Sequence, residues 1–420
     1  MNKEKLCASH DCTLCMACLN TCSHNAIYLS TDDTGYEKIV IDNTKCVDCG
    51  LCTRVCNRRE EVVRNTPRVS LAAQALEKNR LKNSASGGAF QMLALSVLEN
   101  GGICYGAEGL YENGCYSVQH TRIDAIEDLE RILNSKYVPS LIGQSYSQAK
   151  ADLESGKVVL FSGTPCQIQG LKAFLNKDYA NLLTADLICH GVTSARIFMD
   201  YIHEVEKTEA ITIVDYQFRD KSVSWGTNFC YSYYKNNDPR KTIKIKHCPR
   251  EASSYMIHYL KGNIFRENCY NCSLSCTQRV SDFTLGDFWE IETEYSEFVT
   301  KAKPRIVLRQ GVSCILANTE KAENYVQTLD SKMVMHEVTL ESIVKHNGNL
   351  RAPSKRGKER DDLLKTYREC SYEAIENRYR KTILKKAPIY NLKNILKSYL
   401  PDRVRILIYK TPFLRRIVFH

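Results

Sequence analysis

The chain has 420 residues, of which 43% are hydrophobic and 25% are charged, and its formal net charge is +10. This length predicts two or three domains, and the composition is typical of a soluble globular protein. We expect no membrane-spanning helix, because no run of about 18 apolar residues is present. We expect no secretory signal peptide either, because residues 1–6 contain no apolar stretch.

Two cysteine runs with the same spacing stand near the start of the chain. In each run, two residues separate the first three cysteines from one another and three residues separate the third from the fourth. This is the spacing of a two-cluster bacterial ferredoxin, in which the fourth cysteine of each run ligates the other run's cluster. The prediction is one 4Fe–4S cluster on Cys12, Cys15, Cys18 and Cys56 and another on Cys46, Cys49, Cys52 and Cys22.

The runs have one alternative interpretation, a pair of zinc sites. Zinc sites seldom repeat a four-cysteine run with this spacing, so iron–sulfur clusters are favoured. Ser23 and Asn57 replace the proline that usually follows each fourth cysteine, which changes backbone stiffness more than ligand supply. Twenty cysteines without a signal peptide indicate a reducing compartment, and we expect a cytoplasmic protein.

Residues 1–65 are predicted to form the ferredoxin domain. Between its cysteine runs, residues 26–29 and 38–41 have the pattern of two short paired strands, joined by a polar turn at 32–35. The charged stretch that follows has few apolar residues, and we predict a linker over residues 66–82.

An α/β pattern begins after this stretch. Apolar residues recur at helical spacing over 89–98, and two glycines end the helix. A short apolar strand at 158–161 precedes a helix, and residues 182–189 repeat the plan before a helix at 197–205. From about residue 211, strands rich in Tyr, Ile and Thr are predicted. The overall fold class is therefore α+β, with a larger α/β domain over 83–350, and α/β proteins place their chemistry where such strands end.

Residues 351–420 are predicted to form a basic helical C-terminal extension. Residues 371–420 contain twelve Lys/Arg and three Asp/Glu, a net charge of +9. A helix with one solvated basic face is the simplest interpretation. Apolar segments at 406–409 and 417–419 also suit an amphipathic helix on a membrane surface, and the charge suits an acidic protein partner. No nucleic-acid-binding motif is recognisable.

Short segments of the middle region, taken in order, carry a family resemblance. They are 84–90, 135–138, 163–167, 186–191, 218–221 with Trp225 and Gly226 just after, 269–272, and 279–289. Over roughly residues 83–350 the chain resembles the β subunits of deazaflavin-reducing hydrogenases and related dehydrogenases. A fused ferredoxin domain is a known arrangement there. The resemblance implies a flavoprotein that contains FAD and a further 4Fe–4S cluster.

The resemblance places the ligands of this third cluster at Cys166, Cys189, Cys269 and Cys272. The residues alone leave a competing quartet open, in which Cys276 replaces Cys166 or Cys189. Another alternative is a reactive thiol at Cys166, because a cysteine at a sharp strand-to-helix turn resembles a nucleophile elbow. His190 would then be its base. No orienting third residue is evident, and we predict instead that His190 is a catalytic neighbour of the flavin.

Seven residues are predicted to bind the flavin cofactor. Gly87 and Gly88 open a helix behind Ser86, so their N–H groups can approach a pyrophosphate, although Ser-Gly-Gly is also a plain helix start. Lys136 supplies a cation, and Ser135 and Tyr137 supply hydroxyl groups for phosphate or ribose, as any exposed strand could. The set is Ser86, Gly87, Gly88, Ser135, Lys136, Tyr137 and Thr164.

The leading hypothesis is an iron–sulfur flavoprotein oxidoreductase. Hydride enters or leaves at FAD, and the clusters relay single electrons to or from a ferredoxin or another oxidoreductase subunit. A deazaflavin-like hydride carrier is implied by the resemblance alone. Two rivals remain: a non-catalytic electron-relay subunit of a larger redox complex, and a reductase that uses Cys166 as a redox-active thiol.

Overall fold

The structure is a computed structural model that describes Cys7 and residues 10–56, 63–112, 114–222, 224–382 and 399–411. Its N-terminal unit consists of α1 (Ala17–Thr21), β1 (Ile27–Thr31), β2 (Glu37–Ile41) and α2 (Leu51–Arg54). The two strands pair antiparallel. A carboxylate oxygen of Asp32 accepts 2.9 Å hydrogen bonds from the backbone N–H groups of Thr34 and Tyr36, which closes the turn. The predicted hairpin is therefore confirmed.

The remaining strands form two sheets. Eight lie in the order β13-β3-β12-β11-β7-β6-β4-β5, and three lie in the order β10-β9-β8. In chain order the strands are β3 (Val69–Ala75), β4 (Ile103–Glu112), β5 (Cys115–Ile123), β6 (Val159–Gly163), β7 (Leu182–Leu187), β8 (Ile211–Gln217), β9 (Phe229–Lys235), β10 (Lys244–Cys248), β11 (Phe283–Asp287), β12 (Ser313–Ala317) and β13 (Met333–Glu337). β4, β6, β7 and β11 are parallel, which confirms the predicted α/β body.

Helices pack on both faces of the large sheet and against the small sheet. In chain order they are α3 (Lys78–Lys82), α4 (Ala89–Glu99), α5 (Ser145–Glu154), α6 (Pro165–Leu175), α7 (Ala195–Glu209), α8 (Ser254–Leu260), α9 (Ile291–Glu294), α10 (Ser296–Thr300), α11 (Glu320–Val326), α12 (Leu340–His346), α13 (Arg360–Cys370) and α14 (Tyr372–Thr382). Because side chains alternate along a strand, Cys104 and Leu160 pack with α4, whereas Tyr105 and Phe161 pack with α5 and α6 on the opposite face.

The predicted linker over residues 66–82 is wrong, because this stretch supplies β3. The strand pairs with β12 on one side and β13 on the other, in the interior of the sheet. Ala72 and Ala73 are fully buried. Alanine has a low strand propensity, so this small-residue strand lacks the β-branched and aromatic pattern by which strands are usually recognised.

The small sheet packs with α7, α8, α13 and α14 around an aromatic core. From α13 and α14 come four buried residues of this core, Leu363, Tyr367, Tyr372 and Ile375. The predicted C-terminal helices are confirmed, but the boundary at 351 is corrected because these two helices belong to the body. A further helix, Asp402–Lys410, contacts α9 and α10. The predicted apolar segment 417–419 lies outside the described residues.

The N-terminal unit is fixed to the body by buried contacts. The Tyr146 hydroxyl donates to the Cys15 carbonyl oxygen at 2.9 Å, and Arg266 donates to the Glu37 carbonyl oxygen at 2.8 Å. Leu14 and Met16 enter the same core as α5 and α6. Within the described part of the chain, no helix has both the length and the apolarity needed to cross a membrane.

Candidate functional site

The predicted site segments converge at one edge of the large sheet. β6, β7 and β11 are parallel, so the residues that follow them, at 164–166, 188–190 and 288–289, emerge together. β3 is antiparallel to β12, which is antiparallel to β11, so the 84–88 segment after β3 and the residues before β12 reach the same edge. The topology brings the glycine-rich segment, His190 and two of the predicted cluster cysteines to one side.

A group of four cysteines lies at this edge. Burial raises the pKa of Cys166, and repulsion from the thiolates of Cys189, Cys272 and Cys269 raises it further. Burial followed by repulsion from Cys269 and Cys272 raises the pKa of Cys189 to about 12. These thiols are therefore close enough for the charge of one thiolate to shift the pKa of another. The structure brings together the four cysteines that the resemblance implied.

Cys276 lies apart from this group. Its thiol donates to the carbonyl oxygens of Gln278 at 3.2 Å and Ser273 at 3.6 Å, and it accepts a contact from Arg64 at 3.7 Å. This placement favours the quartet with Cys166 and Cys189.

A buried arginine joins the two halves of the group. Arg279 donates from Nη2 to Asp186 at 2.8 Å and to the Leu187 carbonyl oxygen at 3.1 Å, just before Cys189. Its Nη1 donates to the carbonyl oxygens of Leu274 and Cys276, in the loop that follows Cys272. The guanidinium therefore holds the end of β7 against the loop of the second cysteine pair.

The cysteines of the first predicted cluster lie near one another in the N-terminal unit. Burial raises the pKa of Cys18, and repulsion from Cys15, Cys12 and Cys56 adds to it, so the fourth cysteine of the second run lies with the first three of the first run. Burial also raises the pKa of Cys52, with repulsion from Cys46 and Cys49. Cys22 accepts from the Ala26 N–H at 3.4 Å.

Sequence reasoning missed Cys7. Hydrogen bonds to the thiols of Cys12 and Cys56 are the largest causes that raise the pKa of Cys7, ahead of its burial. A fifth thiol therefore touches the first cysteine group. Cys7 stands outside the repeated spacing, and no signal in the sequence singles it out.

The spacing of these cysteines argues against zinc. In a tetrahedral zinc site the Zn–S distance of about 2.3 Å places the sulfurs roughly 3.8 Å apart. Across the described ranges, no group of three or more of these cysteines has ligand atoms all within 4.8 Å of one another.

An arginine–carboxylate pair and two stacked tryptophans lie near His190, and we call the place where these residues meet the recess. The guanidinium of Arg219 donates to both carboxylate oxygens of Asp287, at 2.9 and 3.0 Å. Trp225 Nε1 donates to the same carboxylate at 3.0 Å, and its ring stacks on Trp289 with centroids 4.7 Å apart. The buried Nε of Arg219 has no hydrogen-bond partner among the described residues.

His190 stands exposed at this recess, one residue after Cys189. Desolvation by the surrounding protein lowers the pKa of its imidazole, the Arg219 charge lowers it further, and Asp287 opposes both. The ring is therefore mainly neutral at neutral pH.

The nucleophile interpretation of Cys166 loses support, because burial raises the pKa of this thiol whereas an activated thiol needs a lowered one.

Two of the predicted flavin-binding residues are hydrogen-bonded at the recess: Tyr137 to Arg219, and Ser86 to Lys221. Arg219 donates to the Tyr137 hydroxyl at 3.3 Å and to the Ala85 carbonyl oxygen at 3.0 Å. Lys221, which sequence reasoning did not place in the cofactor site, donates to the carbonyl oxygens of Ser86 at 2.8 Å and Gln310 at 2.9 Å. The Phe-Arg-Asp-Lys sequence at 218–221, which is part of the family resemblance, is the feature from which a role of Lys221 in the cofactor site could have been predicted.

The other predicted flavin-binding residues serve close packing, begin helices or make hydrogen bonds within their own segments. Gly87 is required by packing, because a Cβ there would lie 2.3 Å from the Ala73 carbonyl oxygen. Gly88 has φ +85° and precedes α4. The Lys136 ammonium donates to the Leu133 carbonyl oxygen, and the Ser135 N–H donates to the Asn134 side chain. Thr164 caps the start of α6, and its hydroxyl lies 3.1 Å from Cys166 Sγ.

Comparisons with known proteins agree with the predicted resemblance. Residues 156–343 match the family model that describes the C-terminal part of the coenzyme F420 hydrogenase/dehydrogenase β chain. Residues 11–59 match the model of the 4Fe-4S dicluster domain. Over these two ranges the chain is thus similar to the C-terminal part of these β subunits and to an iron–sulfur dicluster domain.

Among solved structures, the chain is similar to one from the F420-reducing NiFe hydrogenase complex of Methanosarcina barkeri, after xenon derivatization. The identity is 14% and the TM-score is 0.40, with 77% of this chain and 94% of that chain covered. No curated relative matches the chain.

Proposed function

We propose that this protein is an iron–sulfur flavoprotein oxidoreductase. In this proposal, a hydride donor or acceptor meets FAD at the recess, and 4Fe–4S clusters connect the recess with a one-electron carrier. The observation that carries the proposal is the position of the third cysteine group. Cys189 of this group adjoins His190, and Cys166 contacts the N-terminal segment that carries Cys12 and Cys15.

Contacts on both sides of this group support a continuous relay. Toward the recess, Cys189 and His190 are consecutive residues. Toward the N-terminal unit, Cys166 Sγ lies 4.0 Å from the Thr13 carbonyl oxygen, beside Cys12. The Tyr146 hydroxyl shares its one proton between the carbonyl oxygens of Cys15 and Gln167, at 2.9 and 2.7 Å, so it links the two cysteine-bearing segments.

The relay continues to the protein surface. Repulsion from Cys52 contributes to the raised pKa of Cys18, so the two N-terminal cysteine groups also lie near each other. Cys49, in the second of these groups, is exposed, as is its neighbour Val47. This surface is where we place the docking of a one-electron redox protein. A role beside such a partner suits the matched family model, which describes one subunit of a larger enzyme.

The residues of the recess fit an anionic aromatic cofactor. Arg219 has an unpartnered buried Nε, Lys221 has used two of its three donors, and the tryptophan pair offers a flat aromatic surface. FAD, when bound, supplies the exchange between a two-electron hydride and single electrons. The Ser86 segment, Tyr137, Arg219 and Lys221 would hold it.

The chain itself positions groups and holds protons. Asp287 fixes Arg219 and Trp225 at once, so these two side chains keep one orientation. The lowered pKa of His190 leaves its imidazole able to accept a proton at neutral pH. A deazaflavin-like hydride carrier is our proposed substrate class, because the matched family model names that coenzyme.

The first test identifies the chromophore released by acid from full-length protein purified without oxygen. We expect stoichiometric FAD, and bleaching of the iron–sulfur absorbance when a reduced deazaflavin is added. Protein with full iron and no flavin would contradict the oxidoreductase and favour the electron-relay subunit. Flavin without bleaching would refute only the deazaflavin as substrate.

The second test interrupts the relay between the third and first cysteine groups. A Cβ at Gly170, in α6, would lie 2.9 Å from Cys15 Cβ and 3.0 Å from its Sγ. Gly170→Val therefore pushes the two segments apart. We expect unchanged flavin content and slower bleaching of the N-terminal clusters, resolved by stopped flow. Gly348→Ala is the control, because nothing lies within 4 Å of a Cβ there. Equal rates in both variants would refute this route.

A further inference from the structure

Three different metal-binding side chains meet at one end of the small sheet, away from the cysteine runs. Cys230 lies in β9 and His247 in β10, and the two residues are direct cross-strand partners. Asp220 follows β8, and its backbone N–H donates to the Asn228 carbonyl oxygen at 2.7 Å, next to β9. One ligand atom from each of the three residues lies within 4.8 Å of the others.

This trio is the only group of three or more Asp, Glu, His or Cys residues that reaches single-ion spacing in the described part of the chain. The cross-strand pairing makes the spacing a consequence of strand register, because opposed residues have Cβ atoms about 5 Å apart. The trio therefore differs from the cysteine quartet, whose thiols are held farther apart.

Hydrogen bonds already orient the trio. His247 Nδ1 lies 2.8 Å from Asp220 Oδ2, and the Ser222 hydroxyl donates to the same oxygen at 2.7 Å. The Ser222 N–H donates to the other carboxylate oxygen at 2.9 Å. The two bonds from Ser222 are outer contacts of the kind that orient a metal-ligand carboxylate, whereas the bond between His247 and Asp220 gives way when both bind the ion.

The cations that flank Asp220 in the sequence point elsewhere. Arg219 pairs with Asp287, and Lys221 donates to the carbonyl oxygens of Ser86 and Gln310. Within the described ranges, His247 is the one ion-pair partner of Asp220. The buried carboxylate and the buried thiol of Cys230 therefore have no fixed cation to balance them.

We propose that Asp220, Cys230 and His247 bind one zinc ion. Thiolate sulfur, imidazole nitrogen and carboxylate oxygen are the three ligand types that zinc takes in proteins. A thiolate, a carboxylate and a neutral imidazole carry two negative charges, which a divalent cation neutralises. His247 is half exposed, with 46% of its side chain accessible, so water reaches the fourth position.

The zinc ion ties the small sheet to the recess. Asp220 stands between Arg219 and Lys221, so fixing its carboxylate also fixes the segment that carries both cations. This role is independent of the proposed redox function, because it concerns the order of the segment at 218–222 and requires neither flavin nor iron.

The test measures zinc and iron together in the full-length protein. Protein purified without oxygen is dialysed against a chelator, reloaded with zinc alone, and analysed for both metals. We expect about one zinc ion per chain, absent from His247→Gln and Cys230→Ser, with iron unchanged. Unchanged iron shows that each variant is folded. The controls are His203→Gln and Cys115→Ser, which lie outside the trio and keep their zinc.

Cobalt provides a second readout, because a thiolate ligand gives Co²⁺ an intense near-ultraviolet charge-transfer band. The band is expected in the parent protein and in both controls, and it disappears in Cys230→Ser. A parent protein that binds no zinc overturns the proposal. Zinc that persists in both trio variants also overturns it, since the ion then occupies the cysteine runs.

Discussion

Arg279 provides the sharpest test of how the body assembles the third cysteine group. Its side chain is 2% exposed and that of Asp186 is fully buried, and the two charges pair at 2.8 Å. Arg279 Nε donates to Thr284, while Nη1 and Nη2 bind three carbonyl oxygens besides Asp186. We predict that Arg279→Met destabilises the body and releases the iron of the third cluster.

The magnitude follows from the charge that the variant leaves behind. Removal of one partner of a buried ion pair costs about 3–5 kcal/mol, because the other charge stays desolvated. One carboxylate oxygen of Asp186 already has no hydrogen-bond partner in the described structure, so Arg279 is its main compensation. With an unfolding entropy of about 2.1 cal/mol/K per residue over roughly 320 residues, this cost lowers Tm by about 4–8 °C.

The assay is thermal unfolding without oxygen, followed by circular dichroism, with iron measured on the same samples. The matched variant is Arg279→Met combined with Asp186→Asn, which removes the buried charge as well. We expect the double variant to recover much of the Tm but not the iron, because the link between Leu187 and the 274–276 loop stays broken. A single variant with parental Tm and iron would refute this reasoning.

Three further predictions follow from single sites. Cys189→Ala should remove about four irons per chain, whereas Cys276→Ala should keep them, and the reverse result would exclude the quartet. Burial lowers the pKa of His120 to about 4, so its neutral form stabilises the fold above about pH 6.5 and this stabilisation is lost as pH falls toward 4. His120→Gln should flatten a plot of stability against pH in that window, and a parental slope in this variant would contradict the reasoning. Gly87→Ala should cost about 1–3 kcal/mol in denaturant unfolding, because its Cβ would meet the Ala73 carbonyl oxygen at 2.3 Å, and a neutral effect would contradict this packing.

The parts of the fold that the sequence predicts are those in which local pattern and burial agree. α4 has nine buried residues, and its apolar spacing predicts a helix over 89–98, which differs from the observed helix by one residue at the C-terminal end. β3 could not be recognised for a physical reason. Three of its seven residues are the buried alanines Ala72, Ala73 and Ala75, and such small side chains give no strand pattern.

The candidate site likewise contains residues that the sequence predicts and residues that only the fold brings together. The N-terminal cysteines could be assigned from spacing, because consecutive ligands wrap a single cluster. Arg219 and Lys221 could not be given their places from the sequence, since their partners lie more than 60 residues away in the chain. The trio of Asp220, Cys230 and His247 has no ligand spacing and depends on the register of β9 with β10.

The glycine-rich segment shows how packing and cofactor binding become linked. Gly87 is small because β3 and β12 pass beside it, and this close approach places the Ala85 and Ser86 carbonyl oxygens where Arg219 and Lys221 can reach them. Both cations are then held at the start of α4, where backbone N–H groups and the helix dipole also favour an anion. The same glycine that the body needs for packing therefore allows two basic side chains to meet the start of α4 at one point of the recess, and this is where we expect the pyrophosphate of the flavin.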